Sequence, residues 1–116
     1  MNELLGQQVL MRIFIGETGK HEGKPLYQWL VEMLKREKIS GATVLRGILG
    51  YGAGSQIHSS HILQLSQDLP IIVEAVDSQF NIDRILPLIK PFIGKGMITL
   101  EKVQVIQYGV EINPKL

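Results

Sequence analysis

The fold of this chain is decided by one stretch, Asp68 to Val105, which reads DLPIIVEAVDSQFNIDRILPLIKPFIGKGMITLEKVQV. Leu69–Asp77 predicts a strand, because β-branched residues dominate it. Ser78 is a favoured N-cap residue, and the helix that it begins is expected to run to about Ile93. Met97–Tyr108 predicts the last strand. The stretch therefore reads as strand, helix, strand.

Two features of this stretch predict irregularities. Pro87 and Pro91 lack a backbone N–H, so we expect them to kink or shorten the helix. In the last strand the apolar positions change from one face to the other along the segment. That change of phase predicts a bulge near Glu101.

The first half of the chain has the same order of elements. Gln8–Ile15 predicts a strand, Pro25–Lys38 an amphipathic helix with Pro25 in its first turn, and Ala42–Tyr51 a second strand. Gly41 is expected to close the helix. The whole order is the split βαβ pattern, which predicts an α+β, ferredoxin-like βαββαβ fold with a four-stranded antiparallel sheet and two helices on one face.

Composition limits the class of protein. The 116 residues fit a single domain spanning 1–116, with 45% hydrophobic and 20% charged residues. The net charge of +1 argues against nucleic acid as a partner, and the absence of cysteine excludes disulfides and thiolate sites. No segment predicts a membrane span or a signal peptide, so a cytoplasmic location is the expectation.

The sheet face away from the helices predicts an interface. Its strands carry apolar residues with one charge each, and Glu74 is expected to hold Arg12 and Arg46 in an ion network. We therefore expect a homo-oligomer; a solvated face is the alternative. The three sets of residues assigned to this face are Leu10, Arg12 and Phe14; Val44, Arg46 and Ile48; and Ile72, Glu74 and Val76.

A long, glycine-dense loop follows the second strand. About twenty residues separate Gly47 from Asp68, and the part at about 52–67 is expected to be flexible. Its glycines would let the backbone approach a phosphate, or would simply release the strand into a mobile loop.

Other motifs give weaker signals. His58 and His61 have a spacing that could offer two imidazoles to a metal, with His21 as a distant third, but no carboxylate or thiolate lies near them in the sequence. Ser59 and Ser60 lack the elbow of a nucleophile. The segment Gly16–Lys24, GETGKHEGK, fails the spacing of a Walker loop and is interpreted as a connecting loop.

Three segments in this order resemble the PII signal-transduction proteins, and most closely their PII-like relatives. They are GATVLRGILGYG at 41–52, DLPIIVEAVD at 68–77 and IGKGMITLEKVQVI at 93–106. The resemblance covers nearly the whole chain. It implies a homotrimer packed through its sheets, with an adenine nucleotide (AMP, ADP or ATP) bound between adjacent subunits, where the base of the long loop meets a glycine loop of the neighbour.

The resemblance also implies which residues bind. This set comprises the loop base Gly50, Tyr51 and Gly52, the phosphate loop Gly94, Lys95 and Gly96, and the lining residue Thr43. Beyond the resemblance, we expect Arg46 and Lys102 to contact phosphate together with Lys95. Ala53 and Gly54 replace an Arg-Gln pair of PII proteins, and paired arginines near the end of the last strand have no counterpart. A mononucleotide or diphosphate, or a different small anion, therefore fits at least as well as ATP.

The leading hypothesis is a non-enzymatic sensor whose loop contacts a transporter or enzyme target. No tightly bound metal is expected. One alternative is a trimeric metal-binding protein of the copper-tolerance type that uses His58 and His61. Another is a loop that docks on a membrane protein without any nucleotide. An enzyme comes last, because no paired acid and base can be placed within reach of one another.

Overall fold

The computed structural model describes residues 4–52 and 68–109; the predicted loop residues 53–67 lie outside them. Four strands form one antiparallel sheet in the spatial order β4 (Thr43–Arg46), β5 (Pro70–Asp77), β1 (Gly6–Gly16) and β6 (Met97–Val105), and two short strands pair separately. The predicted α+β, ferredoxin-like fold is confirmed. The elements are β1 (Gly6–Gly16), β2 (Lys20–His21), β3 (Lys24–Pro25), α1 (Leu26–Arg36), β4 (Thr43–Arg46), β5 (Pro70–Asp77), α2 (Gln79–Ile93) and β6 (Met97–Val105).

Strand β1 is the centre of the sheet and of the core. Its alternate residues are buried on the helix side, and their cross-strand partners on β5 are buried with them. Both helices pack their apolar stripes against this face, so one continuous cluster forms. The fully buried side chains are Met11, Ile13, Leu30, Leu34, Ile71, Val73, Ile82, Ile85 and Ile89.

Helix α1 is shorter than predicted at both ends. Pro25 belongs to β3 and precedes the first helical residue, and the helix ends at Arg36. Lys38 adopts a φ of 66°, and the N–H of Ile39 donates to the carbonyl of Leu34 at 3.0 Å. The prediction that Gly41 closes this helix is wrong, because Lys38 makes the left-handed turn and the buried Ile39 anchors it.

Helix α2 runs unbroken to Ile93, so the prediction that its prolines shorten it is wrong. The predicted cap is confirmed, since Ser78 Oγ accepts from the backbone N–H of Asn81 at 3.1 Å. Pro87 and Pro91 lie on the exposed side of the helix. Buried isoleucines on the opposite side, spaced along its whole length, fix the helix to the sheet despite the missing N–H groups.

The face assigned to β4 is wrong by one residue. Leu45 pairs with Ile72, and Val44 pairs with the fully buried Val73. Val44 therefore points toward the helices. Leu45 points to the face of the sheet away from the helices, here called the open face. Because side chains alternate along a strand, Arg46 also leaves the open face, and its guanidinium bonds Glu17 at 2.8 Å instead of Glu74. Ile48 lies beyond the strand and is almost fully exposed.

Strand β6 is regular, and the predicted bulge near Glu101 is wrong. Its register with β1 is continuous from Met97 opposite Phe14 to Val105 opposite Gly6. Most of the apolar residues at the start of β6 point toward the helices, whereas those in its second half point to the open face. This difference accounts for the change of phase. The strand ends at Val105, short of Tyr108, whose hydroxyl donates to the carbonyl of Ser40 at 3.2 Å.

The open face combines apolar side chains with one ion network. Arg12 Nε bonds Glu74 at 2.9 Å, as predicted, and Arg12 Nη1 bonds Glu101 at 2.8 Å. The bond to Glu74, and then that to Glu101, raises the pKa of the Arg12 guanidinium above its usual value. Phe14, Leu45, Ile72 and Met97 are cross-strand neighbours on this same face.

The segment Gly16–Lys24, interpreted as a connecting loop, contains the small hairpin β2–β3. Lys24 at its end donates to Glu32 of α1 at 2.7 Å, which together with the Gln28 hydrogen bond lowers the pKa of Glu32. His21 packs edge-on against the rings of Trp29 and Phe92, which also contact each other, so the hairpin contacts both helices. Within residues 4–52 and 68–109, no helix is long and apolar enough to cross a membrane.

Candidate functional site

A cleft of about 720 Å³ opens at one end of the sheet, where β1 ends and β5 and β6 begin. Tyr51 and Gly52 contribute from the base of the long loop, and Lys95 and Gly96 from the turn before β6. The remaining lining comes from β1 and the segment after it, the start of α1, the start of β5 and the residue Asp68 before it, the end of α2 and the start of β6: Phe14, Ile15, Gly16, Thr18, Gly19, Leu26, Asp68, Pro70, Ile93 and Met97.

The turn Gly94–Gly96 is dictated by the packing around it. Gly94 ends α2 with a φ of 59°, a conformation that disfavours residues with a Cβ. A Cβ at Gly96 would lie 2.7 Å from Ile93 Cγ2 and would also meet the carbonyl oxygen of Phe14. Backbone conformation at Gly94 and close packing at Gly96 therefore explain why glycine occupies both positions. Lys95, between them, is exposed and lines the cleft.

The loop base is positioned by Pro70, the first residue of β5. The N–H of Gly47 donates to the Pro70 carbonyl at 2.7 Å, and Gly50 lies against the proline ring. These contacts bring Tyr51 and Gly52 to the rim of the cleft. The Tyr51 side chain remains 69% exposed, so its ring is free to contact a ligand.

The structure thus brings Tyr51, Gly52, Lys95 and Gly96 together, with Gly50 and Gly94 adjacent to them. The other expected residues do not line this cleft within one chain. Thr43 lies opposite Glu74 in the sheet, and Arg46 is paired with Glu17. Lys102 lies opposite Val9, toward the other end of β1. A role for these three in ligand binding stays a prediction.

Sequence reasoning missed Gly16, Thr18 and Asp68 as lining residues. Asp68 Oδ1 accepts from both the backbone N–H and the hydroxyl of Thr18, each at 3.1 Å. The N–H of Glu17 donates to the carbonyl of Leu69 at 2.9 Å beside this contact. The sequence contained part of the signal for these lining residues, because the segment GETG directly follows a strand. The segment does not have the spacing of a Walker loop, however, and it was therefore interpreted as a connecting loop.

The predicted metal ligands His58 and His61 lie outside the described residues. In the part of the chain that the structure describes, no three His, Asp or Glu side chains are grouped to hold a metal ion. His21, the third candidate, has its ring edge-on to Trp29, with centroids 4.4 Å apart.

Comparison with known proteins identifies relatives. Residues 8–105 match the model of a family described as DUF190, Uncharacterized ACR. The chain belongs to this family. A UPF0166 protein of Aquifex aeolicus is 46% identical over 99 residues, covering 84% of this chain and 91% of that protein.

Solved structures with the same fold are PII-like. One is CPII of Thiomonas intermedia K12, a nitrogen regulatory PII-like protein bound to ADP, AMP and bicarbonate. It matches with a TM-score of 0.65 and 17% identity, covering 89% of this chain and 92% of that chain. A putative PII-like signaling protein from Thermus thermophilus matches with a TM-score of 0.60 and 22% identity, covering 90% of this chain and 94% of that chain. The predicted PII-like resemblance is confirmed for the fold.

Proposed function

We propose that this DUF190 protein is a PII-like regulator that binds an adenine nucleotide, AMP or ADP, in the cleft at the end of its sheet. The observation that carries the proposal is the meeting of two separate segments at one cleft. Tyr51 and Gly52 at the loop base and Lys95 and Gly96 before β6 are far apart in sequence, and all four line it. The resemblance assigned the nucleotide to these two segments on adjacent subunits, whereas here both segments line one cleft of a single chain.

A relative of the same fold supports the choice of ligand. CPII was solved with ADP and AMP bound, and its structure superposes on most of this chain. At 17% identity that match shows the fold, so the ligand is transferred here as a proposal. The volume of about 720 Å³ lies within the range of small-molecule sites, roughly 300 to 1,000 Å³.

The lining supplies contacts for the base and for the phosphates of a nucleotide. Tyr51 presents a largely exposed ring on which a base can stack. Lys95 supplies an ammonium for charge-assisted bonds to phosphate, and the backbone of Gly96 lines the cleft beside it. Among the described lining residues Lys95 is the one basic side chain, which favours one or two phosphates over three.

Regulation would follow from the position of the loop base. A ligand shifts a conformational equilibrium only when it binds one state better than the other. A nucleotide that contacts Tyr51 and Gly52 touches the start of the predicted 52–67 loop, through which a transporter or enzyme target would be contacted. We propose that the protein acts as a homotrimer packed through its open sheet faces and has no catalytic activity.

Titration calorimetry with AMP and ADP tests the proposal. Lys95→Ala is expected to weaken ADP binding by on the order of 1 to 3 kcal/mol, because it removes a hydrogen bond from a charged donor to phosphate. Lys90→Ala is the matched control, since Lys90 is exposed on α2 and does not line the cleft. An ADP affinity that is the same in both variants would remove Lys95 from the site, and the absence of binding by the wild-type protein would refute the proposal.

A further inference from the structure

The charge of the cleft is set by two side chains. Among its described lining residues, Lys95 is the single base and Asp68 the single acid, so their formal charges cancel. Residues 53–67, the rest of the loop, contain neither lysine nor arginine. The chain therefore places a fixed negative charge in the cleft where the resemblance to nucleotide-binding proteins would favour positive charge alone.

Asp68 is held in this position by the segment that follows β1. Its Oδ1 accepts two hydrogen bonds from Thr18, one from the backbone N–H and one from the hydroxyl. A Cβ at Gly16 would lie 2.6 Å from the same oxygen, so the carboxylate occupies space that only glycine leaves open. The neighbouring bond from Glu17 to Leu69 fixes the backbone on both sides. The two bonds therefore hold the carboxylate at the wall of the cleft, where Asp68 is exposed.

We propose that Asp68 is a specificity-determining residue that limits the number of phosphates on the bound nucleotide; this inference rests on the proposed function. Each further phosphate adds about one negative charge to the ligand. A fixed carboxylate repels each added charge, at roughly threefold to tenfold in affinity for charges separated by several ångströms near a protein surface. Lys95 offsets the first phosphate, and Asp68 opposes the ones that follow.

A purely structural role for Asp68 makes a different prediction. If its carboxylate only anchored the start of β5 to Thr18, its loss would change the affinities for AMP, ADP and ATP by one common factor. A charge filter instead changes the ratio of these affinities. The ratio is therefore the quantity to measure.

The experiment measures dissociation constants for AMP, ADP and ATP by titration calorimetry, with a chelator present so that no divalent cation neutralises the phosphates. In Asp68→Asn the side-chain oxygen can still accept both Thr18 bonds, and only the charge is lost. We expect the affinity for ATP relative to AMP to rise by about tenfold or more, and this gain to shrink at high ionic strength. Asp68→Ser serves as a second uncharged variant, with the same expected direction.

Thr18→Val is the matched control, because it removes one of the two bonds to Asp68 and keeps the charge. Its affinities for the three nucleotides are expected to move together, with the ATP-to-AMP ratio of the wild type. An unchanged ratio in both Asp68→Asn and Asp68→Ser, with AMP still bound, overturns this inference and leaves the proposed function standing. Absence of nucleotide binding in the wild type and in all variants overturns both.

Discussion

Gly96 lies just before β6, where that strand begins to pair with the end of β1. A Cβ there would meet the carbonyl oxygen of Phe14 and lie 2.7 Å from Ile93 Cγ2. We expect Gly96→Ala to lower the free energy of unfolding by about 1 to 3 kcal/mol, because the backbone of β1 cannot give way without disturbing the sheet. Urea unfolding followed by circular dichroism measures the change.

Gly41→Ala is the control for that substitution. A Cβ at Gly41 meets no atom within 4 Å, and its φ is not positive. Its stability is expected to stay within about 0.5 kcal/mol of the wild type. Equal stability of the two variants would show that the close approach at Gly96 is not a constraint.

At the scale of single residues, the sequence identified the side chains whose role depends on a local motif. Ser78 was predicted as a cap from its residue type, and Tyr51 and Lys95 were placed at a shared site by the resemblance of their motifs. Asp68 was missed, because its partner Thr18 lies 50 positions away and only the pairing of the strands brings them together. No local pattern records such a contact.

Helix α2 contains two prolines, and the packing of its apolar face keeps it helical despite them. Pro87 removes one backbone hydrogen bond, and its ring crowds the preceding turn. Because the residue is exposed, alanine fits there without a cavity. We expect Pro87→Ala to raise the free energy of unfolding by about 1 to 3 kcal/mol, measured by urea unfolding. The free energy of unfolding of Lys90→Ala, on the same helix, should stay within about 0.5 kcal/mol of the wild-type value. A loss of stability in Pro87→Ala would contradict the prediction and show that proline is favourable at this position.

At the scale of elements, order and type were predictable, but the faces of edge strands were not. In the central strand β1, Arg12 marks one side and the alternating residues from Val9 to Ile15 on the other side are all apolar, so its face could be assigned. The edge strand β4 is only four residues long and has apolar side chains on both faces. Its face depends on its register with β5, in which Val44 lies opposite Val73, and the sequence of β4 alone does not contain that register.

The strand β6 shows the same limit in another form. Its apolar residues change face, and the sequence pattern was interpreted as a bulge. The register with β1 is unbroken, because both faces of this strand accept apolar residues. A change of phase therefore indicated a second apolar surface, the open face of the sheet.

At the scale of the molecule, that open face is the surface through which we propose that subunits associate. Ile72 lies at its centre, between Phe14 and Leu45 on the neighbouring strands. We expect Ile72→Glu to convert the proposed trimer into monomers, since burying an unpaired carboxylate at the interface is costly. Sedimentation velocity measures the mass of the assembly.

Leu88→Glu provides the comparison for the whole-molecule prediction. Leu88 is 44% exposed on α2, away from the open face, and its substitution is expected to leave the assembly intact. A wild-type protein that sediments as a monomer, or an Ile72→Glu variant that remains a trimer, would contradict association through the sheet.

The most direct test of nucleotide binding is a crystal structure of the protein grown with ADP. We expect ADP in the cleft at the end of the sheet, with its phosphates at Lys95 and its base beside Tyr51. An empty cleft at saturating ADP, or ADP bound at a place remote from both residues, would contradict it.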